Sequence, residues 1–157
     1  IVVESAGEML QALQEAYPAT DALVMTAAAA EWSGADIKTE KQAKIGERQT
    51  LELVRTPDIL MALKPLRQHQ VMVGFAMETH QGVARAADKA ARKALDFICL
   101  NYPTRAGTSF GGDDNEVTII RADGTAEDLP RMSKRALADE ILDRMLPLVR
   151  AVPPSVD

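Results

Sequence analysis

Short apolar runs alternate along this chain with segments whose apolar residues recur every three or four positions. A short apolar run bounded by turn signals reads as a buried strand, and the longer period reads as an amphipathic helix. Ile1-Val2-Val3 reads as the end of a strand. Ser5, with Glu8 three residues on, forms a capping box, and Met9, Leu10, Leu13 and Tyr17 follow at helical spacing until Pro18 ends the helix. Ala22 to Thr26 is a buried strand. Residues 27–49 are irregular and polar, apart from the small-residue run Ala27 to Ala30. Leu51 and Leu53 alternate with polar neighbours and suggest a strand. Thr56-Pro57-Asp58 predicts a helix start, with a capping hydroxyl, Pro at the first helical position and an acid in the first turn. Pro65 closes that short helix.

Val71 to Phe75 is the next buried strand, and a helix is predicted from Gly82 to Ala94 with an alanine face of Ala84, Ala87 and Ala91. Phe97 to Leu100 is a further strand, followed by a loop from Asn101 to Asn115 and the strand Val117 to Ile120. Asp123-Gly124 signals a hairpin with a short return strand. Ser133 caps a last amphipathic helix that places Leu137, Ile141, Met145 and Leu148 on one face. Together these elements predict one α/β domain over residues 1–150 and a tail over 151–157. The architecture is a Rossmann-like open, mainly parallel sheet flanked by helices, with a C-terminal β-hairpin and helix. Ligands of such sheets bind beyond the carboxyl ends of the strands, which here are Ala27–Trp32, Phe75–Thr79 and Asn101–Asn115.

At 157 residues the chain is long enough for one sizeable core. Aromatics are only 4%, so that core must be built from Ala, Val, Ile, Leu and Met. A net charge of −5 argues against nucleic acid as a partner, which calls for a basic stripe, but leaves room for a small anion held by a few lysines. The single cysteine, Cys99, lies in an apolar run and reads as a buried, inert thiol. With no second cysteine, no disulfide forms within the chain, which fits a reducing cytoplasm. No segment is apolar enough to span a membrane, and no signal pattern opens the chain. The first residue is Ile1 rather than Met, as in a fragment or processed product.

The glycine-rich fingerprints of dinucleotide sites and P-loops are missing, His69 and His80 are not spaced as a metal cluster, and no nucleophile motif accompanies them. Six weaker signals remain, the first five with a plainer structural alternative. Ala27–Ala30 would let a flat ligand lie against the backbone beside Glu31; a tight turn with a solvated acid explains them as well. Lys38, Lys41 and Lys44 suit a mobile polyphosphate clamp, or a solvated charge run. The helix start at Thr56-Pro57-Asp58-Ile59-Leu60 offers free N–H groups to an anion, but helix starts are common. Gly74 permits close backbone approach, and Phe75 would stack on a base or fill the core. Lys89 and Lys93 share one helical face, a modest repulsion that an anion between them would relieve, unless both are simply solvated. The loop Thr108 to Asn115 carries the glycines of an ordered functional loop.

Taken in order, Ala28-Ala29-Ala30-Glu31-Trp32, Lys41 with Lys44, Thr56-Pro57-Asp58-Ile59-Leu60, Val73-Gly74-Phe75-Ala76-Met77-Glu78-Thr79, Lys89 with Lys93, Leu95-Asp96-Phe97-Ile98, and then Asn101, Phe110 and Asn115 resemble the phosphopantothenate–cysteine ligase family over about residues 5–146. The resemblance implies that 4′-phosphopantothenate attacks the α-phosphorus of CTP to give an acyl-cytidylate, and that cysteine then displaces CMP. The resemblance also implies that Mg²⁺ accompanies the triphosphate. By position, the resemblance implies nucleotide contacts for Ala28, Ala29, Ala30, Glu31, Lys41, Pro57, Asp58, Ile59, Leu60, Phe75, Lys89 and Lys93, with Lys41 and Lys93 as the catalytic lysines. It also implies a cytoplasmic homodimer, fused to or partnered with a flavin-dependent decarboxylase domain. Three departures stand out. The family's N-terminal glycine-rich segment is absent, Glu31 stands where the family has Asp, and Lys41-Gln42-Ala43-Lys44 has one lysine fewer than the family loop. The alternatives are a catalytically incomplete fragment of such a ligase and an unrelated α/β nucleotide-binding domain.

Overall fold

Ser5 caps the first helix, α1 (Ala6–Ala16), through the reciprocal bonds of a capping box. Its Oγ accepts from the Glu8 N–H at 3.2 Å, and the Glu8 carboxylate accepts from the Ser5 N–H at 3.2 Å. The structure, a computed structural model, describes residues 1–36, 40, 43, 46–48, 50–78, 82–101 and 112–150. The tail at 151–157 lies outside them. Ile1 and Val2 are almost fully exposed and form no strand. A strand needs a neighbour to take its backbone hydrogen bonds, and no described strand pairs with this segment.

After α1 come β1 (Ala22–Met25), β2 (Trp32–Gly34), β3 (Leu53–Arg55), α2 (Ile59–Leu63), β4 (Val71–Met77), α3 (Gly82–Lys93) and β5 (Phe97–Asn101). The chain continues through β6 (Asp114–Asn115), β7 (Val117–Ile120), β8 (Ala126–Asp128), β9 (Met132–Ser133) and α4 (Lys134–Arg150). The main sheet has the order β1-β4-β5-β7-β8. β1, β4 and β5 are parallel neighbours, with Met25 opposite Gly74 and Gly74 opposite Ile98. β7 runs antiparallel to both β5 and β8, so the other four strands share one direction. The mainly parallel open sheet expected from the apolar runs is therefore present.

Both faces of the sheet are covered, which is why its central strands are apolar at successive positions rather than alternating. Met72, Ala76, Ile98 and Leu100 pack on one side with Tyr17, Ile59, Leu60, Leu63 and the alanines of α3. Val71, Val73, Phe97, Cys99 and Ile119 pack on the other with Leu137 and Ile141 of α4. Helix phase is where the expected pattern shifts. The buried face of α3 is Gly82, Ala86 and Ala90, while Ala84 and Ala91 are exposed and Ala87 is half-buried. An alanine-rich helix satisfies the spacing on more than one face, so composition does not set its rotation. On α4, Met145 and Val149 join the packed face and Leu148 is exposed.

Two small ribbons stand outside the main sheet. β2 and β3 pair antiparallel, with Trp32 opposite Arg55; β2 lies inside the region expected to be irregular, while β3 is the strand expected around Leu53, with Leu51 before it and exposed. β6 pairs with β9 and draws the end of the long loop onto the start of α4. Gly124 closes the β7–β8 hairpin at φ +86°, a conformation that glycine adopts without strain. Asp96 fixes the base of β5 by accepting from Arg67 Nη2 at 2.7 Å and from the Met72 N–H at 2.7 Å.

Candidate functional site

Beyond the carboxyl end of β1 the chain enters Ala27–Glu31, whose small side chains leave open space beside the sheet. The segment Thr56–Asp58 faces it, and the two are stitched together: the Thr56 N–H donates to the Glu31 carbonyl at 3.0 Å, and its hydroxyl donates to the Ala30 carbonyl. Between these segments, Gly74 and Phe75 of β4 and the last turns of α3 lies a cleft of about 450 Å³.

Eleven of the expected site residues line this one cleft: Ala28, Ala29, Ala30, Glu31, Pro57, Asp58, Ile59, Leu60, Phe75, Lys89 and Lys93. Lys41 lies outside the described residues, as do Lys38, Lys44 and Phe110. Asn101 and Asn115 do not line the cleft. Asn115 closes a local turn by accepting from the Glu116 N–H at 2.9 Å. Arg55 and Arg92 line the cleft without having been singled out in the sequence. Arg92 was within reach of the same helical-face reasoning, since it lies three residues after Lys89. Arg55 was not, because only the β2–β3 pairing brings its guanidinium over the Trp32 ring, 5.3 Å from the centroid.

The helix start is built differently from the expectation. Asp58, not Thr56, is the N-cap of α2, and its carboxylate accepts from the Met61 N–H at 3.3 Å. Pro57 therefore precedes the helix. Thr56 spends its hydroxyl on Ala30, so it is unavailable for capping. With an ionised cap already in place on a helix of five residues, this terminus is not an open anion site.

Asp58 also holds Lys93, whose Nζ lies 2.8 Å from Oδ1 and whose side chain is only 14% exposed. Burial alone would raise the Asp58 pKa. The Lys93 hydrogen bond, the Met61 N–H and the charges of Lys93 and Arg92 outweigh burial and hold the carboxyl below its ordinary value. Lys89 lies 3.8 Å from Glu78, which also pairs with Arg85 at 3.3 Å. Each α3 lysine thus has its own carboxylate, and the repulsion that suggested an anion between them is relieved within the protein.

Gly74 serves packing as well as space. A Cβ there would meet Leu95 Cδ1 at 2.7 Å, so the close approach it permits is that of a core leucine. Phe75 is half-buried, packs toward the α4 side of the sheet and also borders the cleft. Cys99 is fully buried, and burial pushes its thiol up to about 12, which removes it from thiolate chemistry. Among the described residues no group of three or more His, Cys, Asp or Glu is placed to hold a metal ion. The cleft sets four cations, Arg55, Lys89, Arg92 and Lys93, against the carboxylates of Glu31 and Asp58. Such an arrangement can position a polyanion and stabilise charge that develops on it.

The likeness of this chain to known proteins extends over nearly its whole length. Residues 1–148 match the family model described as DNA/pantothenate metabolism flavoprotein C-terminal domain. The coenzyme A biosynthesis bifunctional protein CoaBC of Bacillus subtilis (strain 168) is 40% identical over 148 residues, covering 94% of this chain and 36% of that protein. The chain thus spans little more than a third of that relative's length. The crystal structure of the C-terminal domain of a CoaBC protein matches with a TM-score of 0.76 and 31% identity, over 96% of this chain and 65% of that one. A Cab2 mutant in complex with phosphopantothenate-cysteine has a TM-score of 0.68 at 14% identity, over 96% of this chain and 53% of that one, a likeness of fold alone.

Proposed function

The chain belongs to the family of DNA/pantothenate metabolism flavoprotein C-terminal domains, and from that membership we propose that it is the synthetase part of a coenzyme A biosynthesis protein, joining cysteine to 4′-phosphopantothenate at the expense of CTP. The observation that carries this reading is the convergence of eleven residues from four chain segments on one cationic cleft at the end of β1. In the reaction, the 4′-phosphopantothenate carboxylate attacks the α-phosphorus of CTP and pyrophosphate leaves. The cysteine amine then attacks the acyl carbon of the acyl-cytidylate, CMP leaves, and the amine gives up a proton as the amide forms.

The chain's own groups supply position and charge. The Ala28–Ala30 backbone and Phe75 border the space for the base and ribose, with Glu31 at its edge. Lys93 reaches the phosphates from α3, and Asp58 orients its ammonium. Lys41 is the second proposed phosphate lysine. Mg²⁺ is proposed to enter as the complex of the triphosphate, whose oxygens supply the ligands that the cleft's carboxylates do not.

A homodimer is proposed on the state of the β2–β3 ribbon. Two-stranded ribbons are marginal alone, and this one leaves Trp32, Leu53 and Val54 about half exposed, a surface that a second copy would cover. The relative from Bacillus subtilis is bifunctional, and the rest of its length leaves room for a flavin-dependent decarboxylase unit, proposed here as the fusion or partner. No helix among the described residues is long and apolar enough to cross a membrane, and the proposed setting is the cytoplasm.

Calorimetric titration of the 157-residue chain with CTP, with ATP as the control and Mg²⁺ present, tests the reading. Preferential CTP binding is expected. Equal affinity for the two nucleotides would overturn CTP as the substrate, and absence of binding to either would overturn the cleft as a nucleotide site in this chain.

A further inference from the structure

Of the four cations at the cleft, three are already engaged. Lys93 is bonded to Asp58, Lys89 lies beside Glu78, and Arg55 lies over Trp32. Among the described residues the guanidinium of Arg92 has no hydrogen bond or ion pair. Its backbone, by contrast, is held: the Arg92 carbonyl accepts from Lys64 Nζ at 2.9 Å, which fixes the last turn of α3. Arg92 is solvent-exposed and borders two hollows at once, the cleft and a second groove of about 280 Å³ that runs over α3 past Glu78, Arg85, Asp88 and Lys89. Its charge reaches into the cleft, where it helps hold the Asp58 carboxyl ionised.

An engaged cation must surrender or share a partner before it can bind a ligand oxygen, whereas Arg92, without a hydrogen bond or ion pair among the described residues, keeps only its longer-range attraction to Asp58. A helix C-terminus also favours a cation, but that does not require Arg92 to border both hollows. We propose that Arg92 is a polyphosphate-binding residue at the mouth of the cleft, donating its N–H fork to the outer phosphate oxygens of the ligand. The proposal rests on the reading of the cleft as a nucleoside triphosphate site and adds the lining cation that has no hydrogen bond or ion pair among the described residues. Lys93 then acts deeper in the cleft as part of a pair with Asp58, and Lys89 acts beside Glu78.

The test compares the chain with Arg92→Gln, Arg92→Lys and Lys89→Gln, titrated with inorganic tripolyphosphate and separately with CTP, in Mg²⁺, at two salt concentrations. Arg92→Gln is expected to weaken tripolyphosphate binding about tenfold or more, as for loss of charged hydrogen bonds, and to flatten its salt dependence. Arg92→Lys falls between, since it keeps the charge and loses the fork. Lys89→Gln loses less than Arg92→Gln, and the melting temperatures stay close together. Equal tripolyphosphate affinity of Arg92→Gln and the parent, or no tripolyphosphate binding by the parent, overturns the proposal. Arg92-dependent tripolyphosphate binding without CTP preference would leave Arg92 in place and remove the CTP reading. CTP preference with no effect of Arg92→Gln would do the reverse.

Discussion

Replacing Asp58 separates two jobs done by one carboxylate. It caps α2 through the Met61 N–H and neutralises Lys93 at 2.8 Å. Loss of an N-cap costs about 1 kcal/mol. The ion pair contributes less than its length suggests, because the Asp58 side chain is 45% exposed and water screens it; about 0.2–1 kcal/mol is appropriate. Asp58→Ala removes both and should destabilise the chain by about 1–2 kcal/mol. Asp58→Asn keeps a good capping side chain and loses only the charge, so its loss should stay within about 0.2–1 kcal/mol. Urea unfolding at neutral pH measures both, and a double-mutant cycle with Lys93→Met isolates the pair.

The pH dependence has a definite sign. The folded-state pKa of Asp58 is lowered, so its stabilisation is fully present above the ordinary carboxylate value of 3.8 and is lost as pH falls through the lower folded value. The gap between the parent and Asp58→Asn should therefore be constant near neutral pH and narrow on acidification below 3.8. Equal destabilisation by Asn and Ala would refute the capping role. Zero coupling to Lys93→Met, or a gap that widens in acid, would refute the ion pair.

Three further outcomes are expected. Gly74→Ala places a methyl 2.7 Å from Leu95 Cδ1 and should cost roughly 1–3 kcal/mol as overpacking, measured by urea unfolding; a neutral variant would show that Leu95 moves aside freely. Phe75→Ala should lose less than the roughly 3–5 kcal/mol of a fully buried phenylalanine, yet weaken CTP binding under conditions where the variant is fully folded; stability loss with unchanged CTP affinity would assign Phe75 to the core alone. Cys99, buried and with its thiol held up at about 12, should resist a thiol reagent at pH 8 in the native chain and react once the chain is unfolded in denaturant; fast native labelling would refute its place in the sheet core.

Much of the fold was legible because the apolar pattern is set by burial. Strands covered on both faces must be apolar at successive positions, and Val71–Phe75 and Phe97–Leu100 show this without any partner being known. Local caps were legible where the bond is local, as with Ser5 and Glu8, or with Ser133, whose Oγ accepts from the Ala136 N–H at 3.1 Å. Legibility failed where a distant partner decides. Thr56 has the right side chain for a cap, but the Ala30 carbonyl, 26 residues earlier, takes its hydroxyl and leaves the cap to Asp58. The α3 alanines satisfy helical spacing on more than one face, and only contact with β4, β5 and β7 selects Ala86 and Ala90.

The candidate site divides along the same line. Residue types and their order were enough to nominate Ala28–Glu31, Pro57–Leu60, Phe75, Lys89 and Lys93 and to connect them with a ligase family, because chemistry resides in side chains that the sequence states outright. Which of those charges are spent and which are free was decided by tertiary structure alone. Asp58 and Lys93 lie 35 residues apart, and Arg55 reaches Trp32 only through the β2–β3 pairing. Whether a cation is paired depends on distances of a few ångströms between segments far apart in the chain, and those distances exist only once the sheet has assembled.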